Sequence, residues 1–328
     1  VLNLVRNNSP YTAILLFIFT LCLNLQGLGH AVLPKATEHQ LVYGWILQFL
    51  SFFFGKSAFA FSFFTVLLLY GQALFLNAVI ARFRLYQHNT YLVSFSFIAL
   101  SSLHPALSNF SPLLLVNILV LLAINELLQL KQSQHVNKEL FNLGFLIMLA
   151  ALIHFSAILL VLFLFSALLI LRPFSFREWI ISLVGLLMPL YIWMVLLFWM
   201  DKFSAIYLWP DLGISLPSQL LPAHYYLGLS IGFIIWFSIS VYNMQSQLPK
   251  APIYIRRYWI SLTLLLILSI LSAIFSDKHI NAVWVICLPA LSLVMANAFL
   301  NERSKKMNII SFYFALALVL FCQIFLPL

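Results

Sequence analysis

Charge is the scarcest property of this chain. Asp, Glu, Lys and Arg make up only 8% of its 328 residues, about a third of what a water-soluble domain carries, so a fold wetted on all sides is excluded. Acids are rarer still: 8 Asp and Glu stand against 17 Lys and Arg, for a net charge of +9. A surplus of that size would suit nucleic acid if it formed one patch. Here the cations are scattered through short segments between apolar runs, which excludes a nucleic-acid partner. Cysteine is limited to Cys22, Cys287 and Cys322, each inside an apolar run and none at a paired spacing. They read as small hydrophobes rather than a disulfide framework. The sequence has no H-E-x-x-H, no G-x-S-x-G, no Walker loop and no paired histidine ligands. Those gaps argue against a metalloprotease, a lipase-like hydrolase, an ATPase and a multi-haem cytochrome. Ten-residue runs of alternating polarity are missing too, which excludes a membrane β-barrel.

What is abundant is hydrocarbon: 64% of residues are hydrophobic and the mean hydropathy is +1.05. Crossing roughly 30 Å of bilayer core takes about 20 apolar residues as a helix, and helix is the form left once every backbone group must be satisfied without water. Spans are predicted at about 10–28, 58–81, 90–104, 112–130, 179–199, 225–247, 258–275, 280–300 and 308–327. Pro189 and Pro289 fall inside spans and are expected to kink them. The apolar core of 10–28 exceeds the usual 7–15 residues of a secretory signal, so it is expected to stay as the first span. Thirteen of the 17 Lys and Arg lie at alternate ends of these runs. They are Arg6, Arg82, Arg84, Lys131, Lys138, Arg172, Arg177, Lys250, Arg256, Arg257, Arg303, Lys305 and Lys306. Only Lys35, Lys56, Lys202 and Lys278 lie at the other ends. Positive charge beside spans stays on the cytoplasmic side, which sets the N-terminus inside.

The stretch Leu140–Leu171 is too long for one crossing, at roughly 48 Å as a straight helix. Split at His154, it gives two limbs of 14 and 16 residues. If the stretch crosses once, 7 Lys and Arg fall inside and 10 outside; as a hairpin that returns, the split is 13 to 4. The charge rule therefore selects a re-entrant hairpin over about 140–171. The prediction is an all-α polytopic membrane protein of about 11 helices, nine full spans plus that two-helix hairpin. The whole chain, 1–328, forms a single transmembrane domain with its C-terminus external. Two external loops are long, at about 29–57 and 200–224. In the first, Gln40, Gly44, Gln48, Ser51 and Gly55 recur at helical period, predicting an amphipathic helix over about 41–54 lying on the outer surface.

Few residues there could carry chemistry. Glu38 precedes the surface helix, with His39 adjacent and Lys35 one turn away. It reads either as a general base or divalent-cation ligand, or as a solvated loop charge. His154 is a polar group at the floor of a cavity or a histidine bonded to unpaired carbonyls of the hairpin. Glu126 snorkels or pairs with Lys131. Asp201, Asp211 and Asp277 join Glu38 as the external acids, each also readable as a helix-end or loop residue. The string Arg172-Pro173-Phe174-Ser175-Phe176-Arg177-Glu178-Trp179 reads as a cytoplasmic turn, with Ser175 as cap and Trp179 as interfacial anchor.

The organisation resembles the C-type glycosyltransferase superfamily, polytopic enzymes that use polyprenyl-phosphate-linked sugars. The resemblance rests on the acidic first external loop with its surface helix, the Pro-containing external turn His104 to Pro112, the helix pair "LFNLGFLIMLAALIHFSAILLVLFLFSALLILRP" and the basic turn after it. The chain also resembles uncharacterised bacterial inner-membrane proteins that share the Arg-Pro-Phe…Arg-Glu-Trp turn. The resemblance implies a C-type-glycosyltransferase-like fold and transfer of a lipid-linked sugar at the outer face of a bacterial cytoplasmic membrane. Glu38 would be the catalytic residue, Lys35, His39, Lys56 and His104 would bind substrate, and polyprenyl phosphate would be the lipid partner. A divalent cation is compatible with that chemistry. The chain departs from the superfamily in having only Glu38 as an acid in the first loop and none from His104 to Ser111. A non-catalytic component or scaffold of an envelope-assembly complex is the alternative, and a transporter or flippase the third reading.

Overall fold

The computed structural model describes residues 10–29, 31–37, 40–104, 107, 109–130, 136–208, 223–276, 283–300 and 305–325. These residues hold thirteen α-helices and no strand. They are α1 (Pro10–Leu23), α2 (Leu25–Gly29), α3 (Leu41–Phe54), α4 (Ala58–Phe83), α5 (Leu92–Ser101), α6 (Pro112–Gln129) and α7 (Val136–Ile153). After them come α8 (Leu160–Leu171), α9 (Phe176–Trp199), α10 (Ala223–Gln247), α11 (Ile253–Ile274), α12 (Leu288–Ala296) and α13 (Lys305–Phe325). Seven helical stretches, in α4, α6, α7, α9, α10, α11 and α13, are long and apolar enough to cross a membrane. The architecture is that of a polytopic membrane protein.

Three expected spans are not simple helices; the count exceeds about eleven because the first of them splits in two and the surface helix α3 is additional to the spans and hairpin. The run 10–28 breaks at Asn24, whose side-chain amide donates to the Thr20 carbonyl at 2.8 Å, while the Thr20 hydroxyl donates to Leu16 at 2.7 Å. Such back-bonding competes with the helix ladder. The run 90–104 yields only α5, ten residues and roughly 15 Å long, every one of them buried. The run 280–300 is a 3₁₀ turn at Val283–Cys287, then α12, then a second 3₁₀ turn at Asn297–Phe299. Pro289 does not kink a span. It sits in the first turn of α12, where a missing N–H costs nothing. Pro189 does lie inside its helix, α9. The two short elements α5 and α12 pack on each other at the centre, within one apolar core that runs from Leu16 to Cys322.

The basic segments converge on one end of the bundle. The Tyr86 hydroxyl, just past Arg84, donates to the Leu293 carbonyl at 2.6 Å, and its ring meets Trp259 edge-on at 5.5 Å. The Tyr258 hydroxyl donates to Leu128 at 2.9 Å, and Arg172 Nη1 donates to Leu130 at 3.3 Å. Gln247, near the end of α10, donates to Leu300 at 2.6 Å. At the opposite end Phe110 meets Tyr43 and Phe61, at 6.2 and 5.8 Å between ring centres. There too Gln26 donates to the Gln323 carbonyl, and Gln323 to that of Ser102.

The chain turns back at His154, whose backbone is extended (φ −146°, ψ 117°) between α7 and a 3₁₀ turn at Phe155–Leu159. Val136 at the start of α7 and Leu171 and Arg172 at the end of α8 line one cavity at the basic end, so both flanks share a side. The first limb is longer than the sequence suggests, because α7 begins at Val136 and has 18 residues, roughly 27 Å. His154 bonds Ser276 at 2.8 Å, two residues past the far end of α11, so the hairpin runs the whole length of that helix.

The closest helix crossing, α7 against α9, is made by two glycines. A Cβ on Gly144 would collide with the Ser182 carbonyl oxygen and stand 3.0 Å from the Leu186 nitrogen. A Cβ on Gly185 would collide with the Phe141 carbonyl. Small residues that let backbones touch are the means by which membrane helices associate, since lipid offers no hydrophobic drive between them. Replacing Gly144 or Gly185 with Val is expected to cost about 3 kcal/mol through overpacking. Gly71 has nothing within 4 Å of its Cβ position, so Gly71→Ala should be neutral or stabilising by up to about 1 kcal/mol. Unfolding in detergent micelles compares the three.

Candidate functional site

Glu38 and His39 lie outside the described residues, as do Asp211 and Asp277. Lys35 is exposed on the segment 31–37, which runs back along α3 so that Ala36 lies 3.7 Å from the Cβ position of Gly44. Lys56 is exposed in the tight turn after α3. That turn depends on Gly55, whose φ of +59° disfavours other residues, and on Ser57, which accepts from the Ala60 N–H as the cap of α4. Most of the length of α3, a helix of roughly 21 Å, therefore separates Lys35 from Lys56. Asp201 has a φ of 54° and follows the last turn of α9, with the Lys202 N–H closing on the Leu197 carbonyl at 2.9 Å. It terminates a helix, in the manner of a left-handed C-terminal cap.

Helix α3 is packed down on its inner side. Tyr43 is fully buried against Phe110, and Phe54 meets Phe61 and Phe64 at 5.5 and 5.3 Å. Leu41, Val42 and Trp45 close on Leu152, Trp193 and Leu197. Its outer side presents Phe49, Phe52 and Phe53, the middle one 85% exposed. The predicted polar stripe does not form one open face, because Gln40 is buried and Gly44 is covered by Ala36. Gln48 and Ser51 of that stripe are exposed alongside the rings, so the outward side of α3 is mixed, aromatic and polar together.

His104 is half-buried in the turn after α5, where its carbonyl accepts from the Leu107 N–H at 3.0 Å. Burial pushes its imidazole below the usual range. His154 and its neighbours form a buried polar seam with α11: His154 Nε2 lies 2.8 Å from Ser276 Oγ, and the Ser272 hydroxyl donates to the Ser156 carbonyl at 2.8 Å. Glu126 is hydrogen-bonded by the Asn142 side chain, with Glu139 and Lys138 near enough to act on it. Lys131 lies outside the described residues.

The cavity at the basic end was not singled out by sequence reasoning. About 600 Å³ in volume, it is lined, among the described residues, by Leu130 after α6, Val136, the Leu171–Pro173 exit of α8, and Ile253, Tyr254, Arg257 and Tyr258 of α11. Arg172 Nη2 pairs with Glu178 Oε1 at 3.2 Å, tying the exit of α8 to the first turn of α9. Ser175 precedes that helix without capping it through its side chain. Trp179 anchors the turn by stacking on Phe165 at 5.2 Å. In the sequence Arg172 and Arg257 are 85 positions apart, and their shared signal as topology markers hides that they line one cavity.

No family model, curated protein or solved structure matches this chain. His104 supplies a testable pH dependence. Its folded pKa lies below the unfolded value of about 6.5, so the stability it contributes is present above that value and lost as pH falls through the folded one. The melting temperature in detergent should drop from pH 7 to pH 5, and drop less in His104→Gln.

Proposed function

We propose that this chain is a multi-pass protein of a bacterial cytoplasmic membrane, of the lipid-linked-sugar transferase type, working at the end opposite its basic cluster. The basic end is cytoplasmic by the charge rule, and the C-terminus is external. The observation that carries the reading is the placement of α3. This helix is docked at the non-basic end by Tyr43 on Phe110, faces outward with Phe49, Phe52 and Phe53, and follows directly after Glu38 and His39. A carboxylate shortly before a docked helix in the chain suits activation of an acceptor hydroxyl against a polyprenyl-phosphate sugar. Lys35, Lys56 and His104 are polar groups of that end, His39 adjoins Glu38 in the sequence as a further candidate for substrate binding, and Glu38 suits a divalent cation if one is used.

A specific observation favours a second reading. The inner side of α3 is packed by rings, Tyr43 on Phe110 and Phe54 on Phe61 and Phe64, which suits a non-catalytic component of an envelope-assembly complex.

Two measurements separate these readings. Glu38→Gln should lower transfer of the lipid-linked sugar about 100-fold or more while protein abundance is unchanged; intact cell-surface glycans in that variant would decide for the scaffold. A cysteine at Arg177→Cys should react with an impermeant thiol reagent only after the membrane is opened, whereas Lys56→Cys should react from outside.

A further inference from the structure

We propose that the cavity between α6, α7, α8 and α11 binds the phosphate head of an anionic phospholipid, with Arg257 as its principal cation. The site lies at the opposite end of the bundle from the segment containing Glu38 and does not rest on the transferase reading. Its volume of about 600 Å³ falls within the range of small-ligand pockets. Leu130, Leu171 and Ile253 give it apolar walls, and Arg172 and Arg257 give it cationic ones. That pairing matches an amphiphile: a charged head for the guanidinium groups and a glycerol backbone with its first methylenes for the walls. Basic pockets between helices at the membrane surface are where anionic headgroups settle.

The three arginines nearby are not equivalent. Arg256 is occupied by its own chain, its guanidinium donating to the Ala251 and Pro249 carbonyls at 2.8 and 2.7 Å. Arg172 is partly occupied, by the Glu178 carboxylate and the Leu130 carbonyl, though a guanidinium carries five N–H donors and keeps some for a ligand. Arg257 is exposed and makes no side-chain hydrogen bond or ion pair among the described residues. It is the cation left over, one residue before the buried Tyr258.

Depth chooses a lipid over a soluble anion. The turn that forms one wall carries Phe174 and Phe176, 67% and 72% exposed, with Trp179 packed behind Phe174 at 5.3 Å. Of these, Trp179 is the residue type that sits where hydrocarbon gives way to headgroups, and the exposed Phe rings beside it suit hydrocarbon better than water. A free phosphate would satisfy the arginines and leave Leu130, Leu171 and Ile253 against water.

The test uses the full chain in detergent, exposed to mixed vesicles of phosphatidylglycerol and phosphatidylcholine, with retained lipid counted by native mass spectrometry. Phosphatidylglycerol should be retained over phosphatidylcholine. Arg257→Ala should lower its retention about tenfold, the worth of one charge-assisted contact, and Arg256→Ala should stay within about twofold. Leu171→Trp, which fills the cavity without changing charge, should lower retention as well, giving a second variant if the first misfolds. Equal retention of the two lipids, or equal loss in the Arg256 and Arg257 variants, would overturn the proposal. Displacement of phosphatidylglycerol by inorganic phosphate at matched concentration would overturn it too, by assigning the cavity to a soluble anion.

Discussion

A chain that reverses direction where protein buries it must find partners for the backbone groups its broken helix releases, because no water is there to take them. At His154 the chain meets that demand with side chains from α11. The Ser272 hydroxyl reaches the Ser156 carbonyl, and Ser276 meets the imidazole itself. The break is further closed by the Ala157 N–H on the His154 carbonyl at 3.1 Å. These bonds let the hairpin return, and the return fixes which residues share an end. Arg172 reaches Leu130 only because the second limb comes home beside the first, and the cavity with Arg257 exists for the same reason.

The second constraint is backbone contact between α7 and α9. Buried on only one side, α9 has long apolar side chains such as Leu183, Leu187 and Tyr191 turned outward. They offer little preference for any neighbour in lipid. Gly144 against Gly185 provides that preference by shape, and the Arg172–Glu178 pair holds the near end of the same helix.

Much of the fold was legible because membrane folds answer to few rules. The long helices α4, α6, α9, α10, α11 and α13 follow from apolar length, and the return at His154 follows from counting cations on each side. The short elements were not legible, for a physical reason. Hydropathy reports how apolar a run is, while α5 and α12 are apolar because protein surrounds them. The break at Asn24 depends on side-chain bonds that hydropathy does not register, and the start of α7 at Val136 lies in a polar stretch that reads as loop. At the candidate sites, residue types were visible and meetings were not. The helix between Lys35 and Lys56 was readable from the period of Gln40, Gly44, Gln48, Ser51 and Gly55, while Arg172 and Arg257 were not seen to share a cavity.

The enclosure of α5 has a consequence for how the chain is made. Ten residues, roughly 15 Å, cannot hold themselves across a bilayer, and the partner they pack on, α12, leaves the ribosome nearly two hundred residues later. Until then Leu92–Ser101 has for cover α4 and α1, whose Phe19 stacks on Phe95 at 5.7 Å, so biogenesis must pass through a half-built bundle with an open centre. Closing that centre is the task of the last third of the polypeptide.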